Sequence, residues 1–230
     1  MSSYDELEKR IRDIQTVIAE ATTASARDSH AVTLIAVSKT FSRDDVEAAY
    51  TCGLRHFGEN RIQEAQAKFE QPLPDDAVLH LIGHLQSNKA KLVPALFSTV
   101  DSVDRPSIVK ALEKSAVQHE VTLDVLIQVN IAGESKKSGC HPDQAIDILR
   151  AITTTDRLKA RGLMTIAPID ATGDRLCGVF RGLRQLRDYL QEVASCDLPE
   201  LSMGMSDDFH DAIAEGATQI RLGRAIFGER

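Results

Sequence analysis

Apolar residues recur along this chain in two alternating rhythms. Leu7, Ile11, Ile14 and Ile18 fall at helical spacing, behind a Ser3/Glu6 pair that matches a capping box. A small-polar linker, Ala21 to His30, then leads into TLIAVSKT, Thr33 to Thr40, where Leu34–Val37 form an aliphatic run bounded by polar residues. A run this short fits a strand buried on both faces, as in a parallel sheet. Ser42-Arg43-Asp44-Asp45 opens a second helix, with Val46, Ala49 and Tyr50 on one side and Gly53 as a stop. The same pairing then repeats. Further strands are predicted at Arg55–Asn60, Val78–Leu85, Phe97–Val103, Thr122–Asn130, Leu158–Ile166, Glu200–Ser206 and Gln219–Gly223. Helices are predicted at Arg61–Glu70, across QSNKAKLVPAL up to Pro94, and at Ile108–His119, His141–Thr153 and Leu176–Ala194. A last helix, Asp207–Glu215, is predicted with Ser206 as its cap and Gly216 just beyond.

Strands alternating with helices imply a parallel sheet. Eight such units in 230 residues match a single (β/α)8 TIM-type barrel, with residues 1–30 as an extra N-terminal helix and linker. An open doubly wound sheet is the alternative. It would normally carry a glycine-rich loop after its first strand. The loop here, SKTFSRDD, has no glycine, which favours the barrel.

Composition narrows the function class. Hydrophobic content of 43% with 27% charged residues is that of a folded globular protein. The net charge of −7 argues against a generic nucleic-acid binder. No apolar stretch is long enough to span a membrane, and MSSYDELEKRIRDIQ is too charged for a secretory signal. A cytoplasmic protein is expected. Cys52, Cys140, Cys177 and Cys196 are too scattered for a metal clip or redox pair. His80 and His84 have the H-x-x-x-H spacing of some zinc sites. That spacing works only on a helix, and LHLIGHL is predicted as a strand.

In a barrel, reactive groups gather at the C-terminal ends of the strands. Those ends supply Lys39, then Glu59 and Asn60, His84, Asn130, Met164, Ser206, and Gly223 with Arg224. An amine emerging from an apolar wall is suited to losing its proton and attacking a carbonyl. The plainer alternative for Lys39 is a strand-end lysine in a salt bridge. Loops after the seventh and eighth strands often bind anions in barrels. Here they contain Ser206-Asp207-Asp208 and Gly223-Arg224-Ala225, with Gly204 and Gly223 allowing close backbone approach, unless those glycines merely make turns. Arg221 shares its strand parity with Gly223, so it can face inward just below the mouth. It could instead be a structural arginine paired with a carboxylate such as Glu59.

LIAVSKT, FGEN, HLIGHLQSNK, VLIQVN, SKKSG, GLMTI, LSMGMSDDFHDAI and IRLGRAIFGER occur in order from residue 34 to 230. In these segments the chain resembles the pyridoxal phosphate homeostasis protein family, a single barrel similar to the N-terminal barrel of alanine racemase. The resemblance implies that Lys39 holds pyridoxal 5′-phosphate as a Schiff base. It implies phosphate contacts from Ser206 and from the backbone at Gly223 and Arg224, with Arg221 beside the pyridine nitrogen. Asn60, His84, Met164 and Ser202 are implied around the cofactor. One departure is Arg224, where many members have Thr or Ser, so a hydroxyl contact to the phosphate is lost.

The resemblance also implies a role in vitamin B6 and amino-acid homeostasis, with apo-enzymes that use this cofactor as possible recipients. Carbanion chemistry on the cofactor is helped by a carboxylate at the ring nitrogen, and an arginine weakens that sink. Racemases of this fold tolerate that arginine, but they add a second domain with a tyrosine base. No such domain is expected here, and Tyr4, Tyr50 and Tyr189 all fall on predicted helices. A non-catalytic binding protein is therefore expected, and a monomer, because no long exposed apolar face is visible in the sequence. The alternatives are a weak racemase-like enzyme and a cofactor-free Schiff-base aldolase acting on a phosphosugar. Lys136 and Lys137, beside Ser138-Gly139, could make a second aldehyde or phosphate contact, or simply form a solvated basic loop.

Overall fold

The computed structural model describes residues 3–28, 30–134 and 137–229, with the Ser3 side chain excepted. The proposed Ser3/Glu6 capping box and Lys136 therefore lie outside the described residues. The strands are β1 (Thr33–Val37), β2 (His56–Glu59), β3 (Val78–Leu81), β4 (Thr99–Val103), β5 (Leu123–Gln128), β6 (Leu158–Met164), β7 (Glu200–Ser202) and β8 (Gln219–Leu222). They pair in parallel in chain order, and β8 closes on β1 through Thr33↔Gln219 to Ala36↔Leu222. The predicted (β/α)8 barrel is the observed fold.

The helices are α1 (Ser3–Ala24), α2 (Arg43–Thr51), α3 (Ile62–Lys68), α4 (Pro106–Gln118), α5 (Ala145–Thr153), α6 (Gly173–Ala194), α7 (Phe209–Ala214) and α8 (Arg224–Phe227). α1 buries Leu7, Ile11, Ile14 and Ile18, the predicted stripe, and packs against α7 and α8. Ser42 caps α2, and its hydroxyl accepts from Asp45 N–H while the Asp45 carboxylate accepts from Ser42 N–H. Gly53 follows α2 at φ +96°, as a left-handed stop requires.

Several boundaries differ from the sequence reading. Most strands end sooner than predicted. β1 stops at Val37, where its aliphatic run ends, whereas β3 stops at Leu81 and β7 at Ser202 although buried apolar residues such as Leu85 and Met203 follow in the loops. The segment after Gln86 forms a 3-10 helix, Ser87–Leu92, with Pro94 close behind. His141–Thr153 divides into a 3-10 turn, Pro142–Gln144, and α5. The last predicted helix begins at Phe209 rather than Asp207. Ser206 does not cap it, and Asp208 instead ties the turn by accepting from Met205 N–H.

Strand parity separates two interiors. One set, including Phe57, Leu79, Val100, Val125, Leu163 and Ile220, packs outward under the helices as the main apolar core. The other set faces the barrel axis and is unusually polar. Beside Ile35, Leu126 and Met164 it buries His80, Asp101, Gln128, Ser202 and Arg221. His56 Nδ1 lies 3.0 Å from His80 Nε2, and His80 Nδ1 lies 3.2 Å from Asp101 Oδ1. The axis thus carries hydrogen-bonded polar groups where most barrels stack aliphatic layers.

Burial, with His80 beside it, pulls the His56 pKa down from 6.5 to about 4. The unfolded chain then takes up a proton at His56 before the folded chain does, so stability falls as pH drops through that window. His56→Gln is expected to flatten the pH dependence of the urea midpoint between pH 6.5 and 4. An unchanged slope would contradict this role.

Candidate functional site

At the C-terminal end of the strands lies a cavity of about 580 Å³. β1, β5 and β8 contribute Val37, Gln128 and Arg221 to its floor, and Ile82, Ile166 and Met205 supply apolar wall. Its charged lining is one-sided. Among the described residues Lys39, Lys137, Arg221 and Arg224 line the cavity with the carboxylate of Asp207, and Lys137 also pairs with Glu134 at 2.6 Å just outside. In a chain with a net charge of −7 this is a focused positive site that favours an anion.

Lys39 is exposed at the rim, in the turn after β1. It stands two residues beyond the end of β1 rather than on the strand's last position. No carboxylate pairs with it among the described residues, unlike the salt-bridged alternative.

Arg221 does face inward, as its shared parity with Gly223 allowed. It is 4% exposed, and it donates to Ser202 Oγ and to Thr165 O, each at 2.8 Å. Burial lowers its pKa, although a guanidinium stays charged. The alternative partner, Glu59, points the other way and pairs with Lys68 at 2.6 Å. Among the described residues no carboxylate lies within ion-pair distance of Arg221. A buried cation at a cavity floor is thus left with one side for an acceptor.

Ser206 is half-buried in the turn before α7 and lines the cavity. Gly223 lines it too, immediately before α8, whose first N–H groups at Arg224 and Ala225 lack intrahelical acceptors. The Arg224 guanidinium donates to Asp207 Oδ2 at 2.7 Å across the rim, in an exposed pair. Asn60 and His84 line the opposite wall, and His84 Nδ1 lies 3.5 Å from Asp104 Oδ2. His80 lies on β3 and His84 beyond its end, so the two do not share a helix face.

Gly83 sets this wall. A Cβ there would sit 2.1 Å from Asn60 O, so only glycine lets the two loops cross. Gly83→Ala is expected to destabilise the fold by about 1–3 kcal/mol or more, since rigid backbone must move. Denaturant unfolding measures it, and a shift below about 0.5 kcal/mol would contradict the geometry.

Some sequence candidates lie elsewhere. Met164 is fully buried inside the barrel, and Ser202 lies beneath the cavity, reaching it through Arg221. Glu59 faces outward, because Gly58 takes the inward parity beside Ile35 and Ile82. Asn130 is occupied locally, donating to Glu134 O at 2.8 Å. Gly204, at φ +96°, packs against Ala212 and Phe209 rather than the cavity. Lys137 lines the cavity and donates to Ala167 O at 3.0 Å. Gln128 escaped the sequence reading. It sits on the floor with Oε1 unpartnered among the described residues, and the inward parity of VLIQVN could have revealed it.

Barrel and mouth together define a single-barrel protein whose concave site suits a small anionic ligand within reach of an amine. Known proteins sharpen this class. The family model for the alanine racemase N-terminal domain matches residues 10–230. A pyridoxal phosphate homeostasis protein of Aquifex aeolicus (strain VF5) is 37% identical over 222 residues, spanning 96% of this chain and 97% of that protein. Its counterpart in Pseudomonas aeruginosa is 39% identical over 222 residues, spanning 96% and 95%. PipY of Synechococcus elongatus PCC7942, solved with PLP bound, is 38% identical, with a TM-score of 0.81 over 92% of this chain and 100% of that one. The chain belongs to the alanine racemase N-terminal domain family and, within it, to the pyridoxal phosphate homeostasis proteins.

Proposed function

We propose that this protein holds pyridoxal 5′-phosphate reversibly, as a Schiff base on Lys39, and serves cytoplasmic vitamin B6 and amino-acid homeostasis without catalysing a reaction of its own. The observation that carries this reading is Arg221: a buried guanidinium, unpaired by any carboxylate among the described residues, under a cation-rich cavity with an amine at its rim. The residues present fit the ligand. Its phosphate matches Ser206, the N–H groups at Gly223 and Arg224, and the surrounding positive charge. Its neutral ring nitrogen is an acceptor for Arg221. When bound, the cofactor supplies an aldehyde with which a primary amine condenses.

The chain's own residues then divide the work. Lys39 Nζ provides the amine. Ser202 and Thr165 O hold Arg221 in place. Arg224, tethered to Asp207, stands at the rim beside Gly223. Asn60 and His84 bound the far wall, and Met164 fills the barrel beneath.

Absence of catalysis is supported by what surrounds the site. Tyr4, Tyr50 and Tyr189 lie on α1, α2 and α6, away from the cavity lining. An arginine rather than a carboxylate faces the ring nitrogen, which weakens the electron sink. Kinship with racemases makes amino-acid turnover the fair test. Protein saturated with pyridoxal 5′-phosphate is expected to be yellow and to release no α-deuterium from any labelled amino acid. Steady deuterium loss abolished by Lys39→Ala would replace this reading with an enzyme. Release of the cofactor to apo-enzymes is part of the proposed role.

A further inference from the structure

The turn that carries Lys39 is strained, and a buried ion pair grips it from behind. Ser38 to Phe41 form a four-residue turn closed by Phe41 N–H donating to Ser38 O at 3.0 Å. Lys39 holds the second position with negative φ, and Thr40 holds the third at φ +73°. This is a type II turn, whose third position favours glycine. A β-branched residue there is an outlier that persists only when surrounding structure imposes it.

The imposing groups are visible. Lys68 of α3 donates to Ser38 O at 2.6 Å and to Glu59 Oε1 at 2.6 Å. Ser38 Oγ donates to the same Glu59 oxygen at 2.7 Å, and Ser38 N–H donates to Gly58 O at 3.0 Å. Ser38 and Glu59 are fully buried. The second Glu59 oxygen is buried with no partner among the described residues, a costly arrangement that calls for a reason. Ser38, Glu59 and Lys68 do not line the cavity, so they act on Lys39 only through its turn.

We propose that Ser38, Glu59 and Lys68 are positioning residues that hold the strained turn so that Lys39 Nζ meets the ligand's aldehyde carbon. This rests on the reading of Lys39 as the covalent residue. In that step a carbon–nitrogen double bond replaces the carbonyl bond, and both hydrogens of the neutral amine leave with the oxygen as water. The cluster gives and takes no proton. It fixes distance and direction, to which such additions are sensitive.

Two ligands separate positioning from general integrity. Pyridoxal 5′-phosphate can be captured. Pyridoxine 5′-phosphate has the same ring and phosphate but an alcohol for the aldehyde, so it binds only non-covalently. In Glu59→Gln, the borohydride-fixed fraction at limiting pyridoxal 5′-phosphate is expected to fall at least tenfold. Affinity for pyridoxine 5′-phosphate should stay within twofold of wild type. Adding Thr40→Gly to Glu59→Gln should restore most of the capture, because glycine makes this turn unaided. Parallel loss of both ligands, undiminished capture, or no recovery with Thr40→Gly would each overturn the proposal. If Glu59→Gln does not fold, Ser38→Ala takes its place with the same expectations. Wild-type protein that captures nothing on Lys39 would remove the underlying reading as well, and shows itself before any variant is made.

Discussion

Lys39→Ala is expected to abolish covalent capture of pyridoxal 5′-phosphate and the yellow colour that accompanies it. The remaining contacts to phosphate and ring should leave weak, colourless binding. A loss of at least about 100-fold in affinity is expected, equivalent to roughly 2.7 kcal/mol. Stability should hardly change. Lys39 is exposed, and Thr40 rather than Lys39 carries the positive φ of the turn, so the change should stay within about 0.5 kcal/mol. Absorbance titration and a thermal melt on the same sample separate the two effects. Colour surviving in the variant would mean that another amine does the work, and Lys137 is the lysine to suspect because it lines the same cavity.

Arg221→Met is expected to produce the second largest effect. Among the described residues no carboxylate lies within ion-pair distance of the buried guanidinium, so its charge is costly to hold there. Replacement by an apolar chain of similar length relieves that cost while losing the bonds to Ser202 Oγ and Thr165 O. The fold should therefore survive. Binding should weaken by about 1.5–3 kcal/mol, the range for a hydrogen bond to a charged group, or roughly tenfold to a hundredfold. The absorbance of the bound ligand should shift as well, because the ring nitrogen loses its donor. Unchanged affinity and spectrum in Arg221→Met would place the ring elsewhere in the cavity.

Much of this was legible in the chain. The TLIAV run and its repeats announced a parallel sheet, because strands covered on both faces need continuous apolar residues. The parity of RLGR allowed Arg221 to face inward with Gly223, since side-chain direction in a strand follows a period of two. Ser42 with Asp45 was readable because capping is local. Strand ends were less legible. Loop residues beyond the last ladder bond stay buried, so hydrophobicity continues where pairing has stopped.

What lay hidden was which polar residues face one another. Glu59 reads as a mouth residue from position alone, yet its parity opposes that of Gly58 and sends it to Lys68. His56, His80 and Asp101 come from three adjacent strands, and the pairing register of β2, β3 and β4 brings them together. The left-handed Thr40 was equally unreadable. No propensity rule favours threonine there, and the groups that impose it are distant in sequence. The rim pair of Arg224 and Asp207 likewise joins two loops that only the fold makes neighbours.

The most direct measurement is peptide mapping by mass spectrometry, after protein saturated with pyridoxal 5′-phosphate is reduced with borohydride. The expected result is a single modified peptide, labelled on Lys39, with Lys137 untouched in the same cavity. Label on Lys137 instead, or a protein that carries no label at all, would contradict the assignment of residue 39 as the amine that holds the ligand.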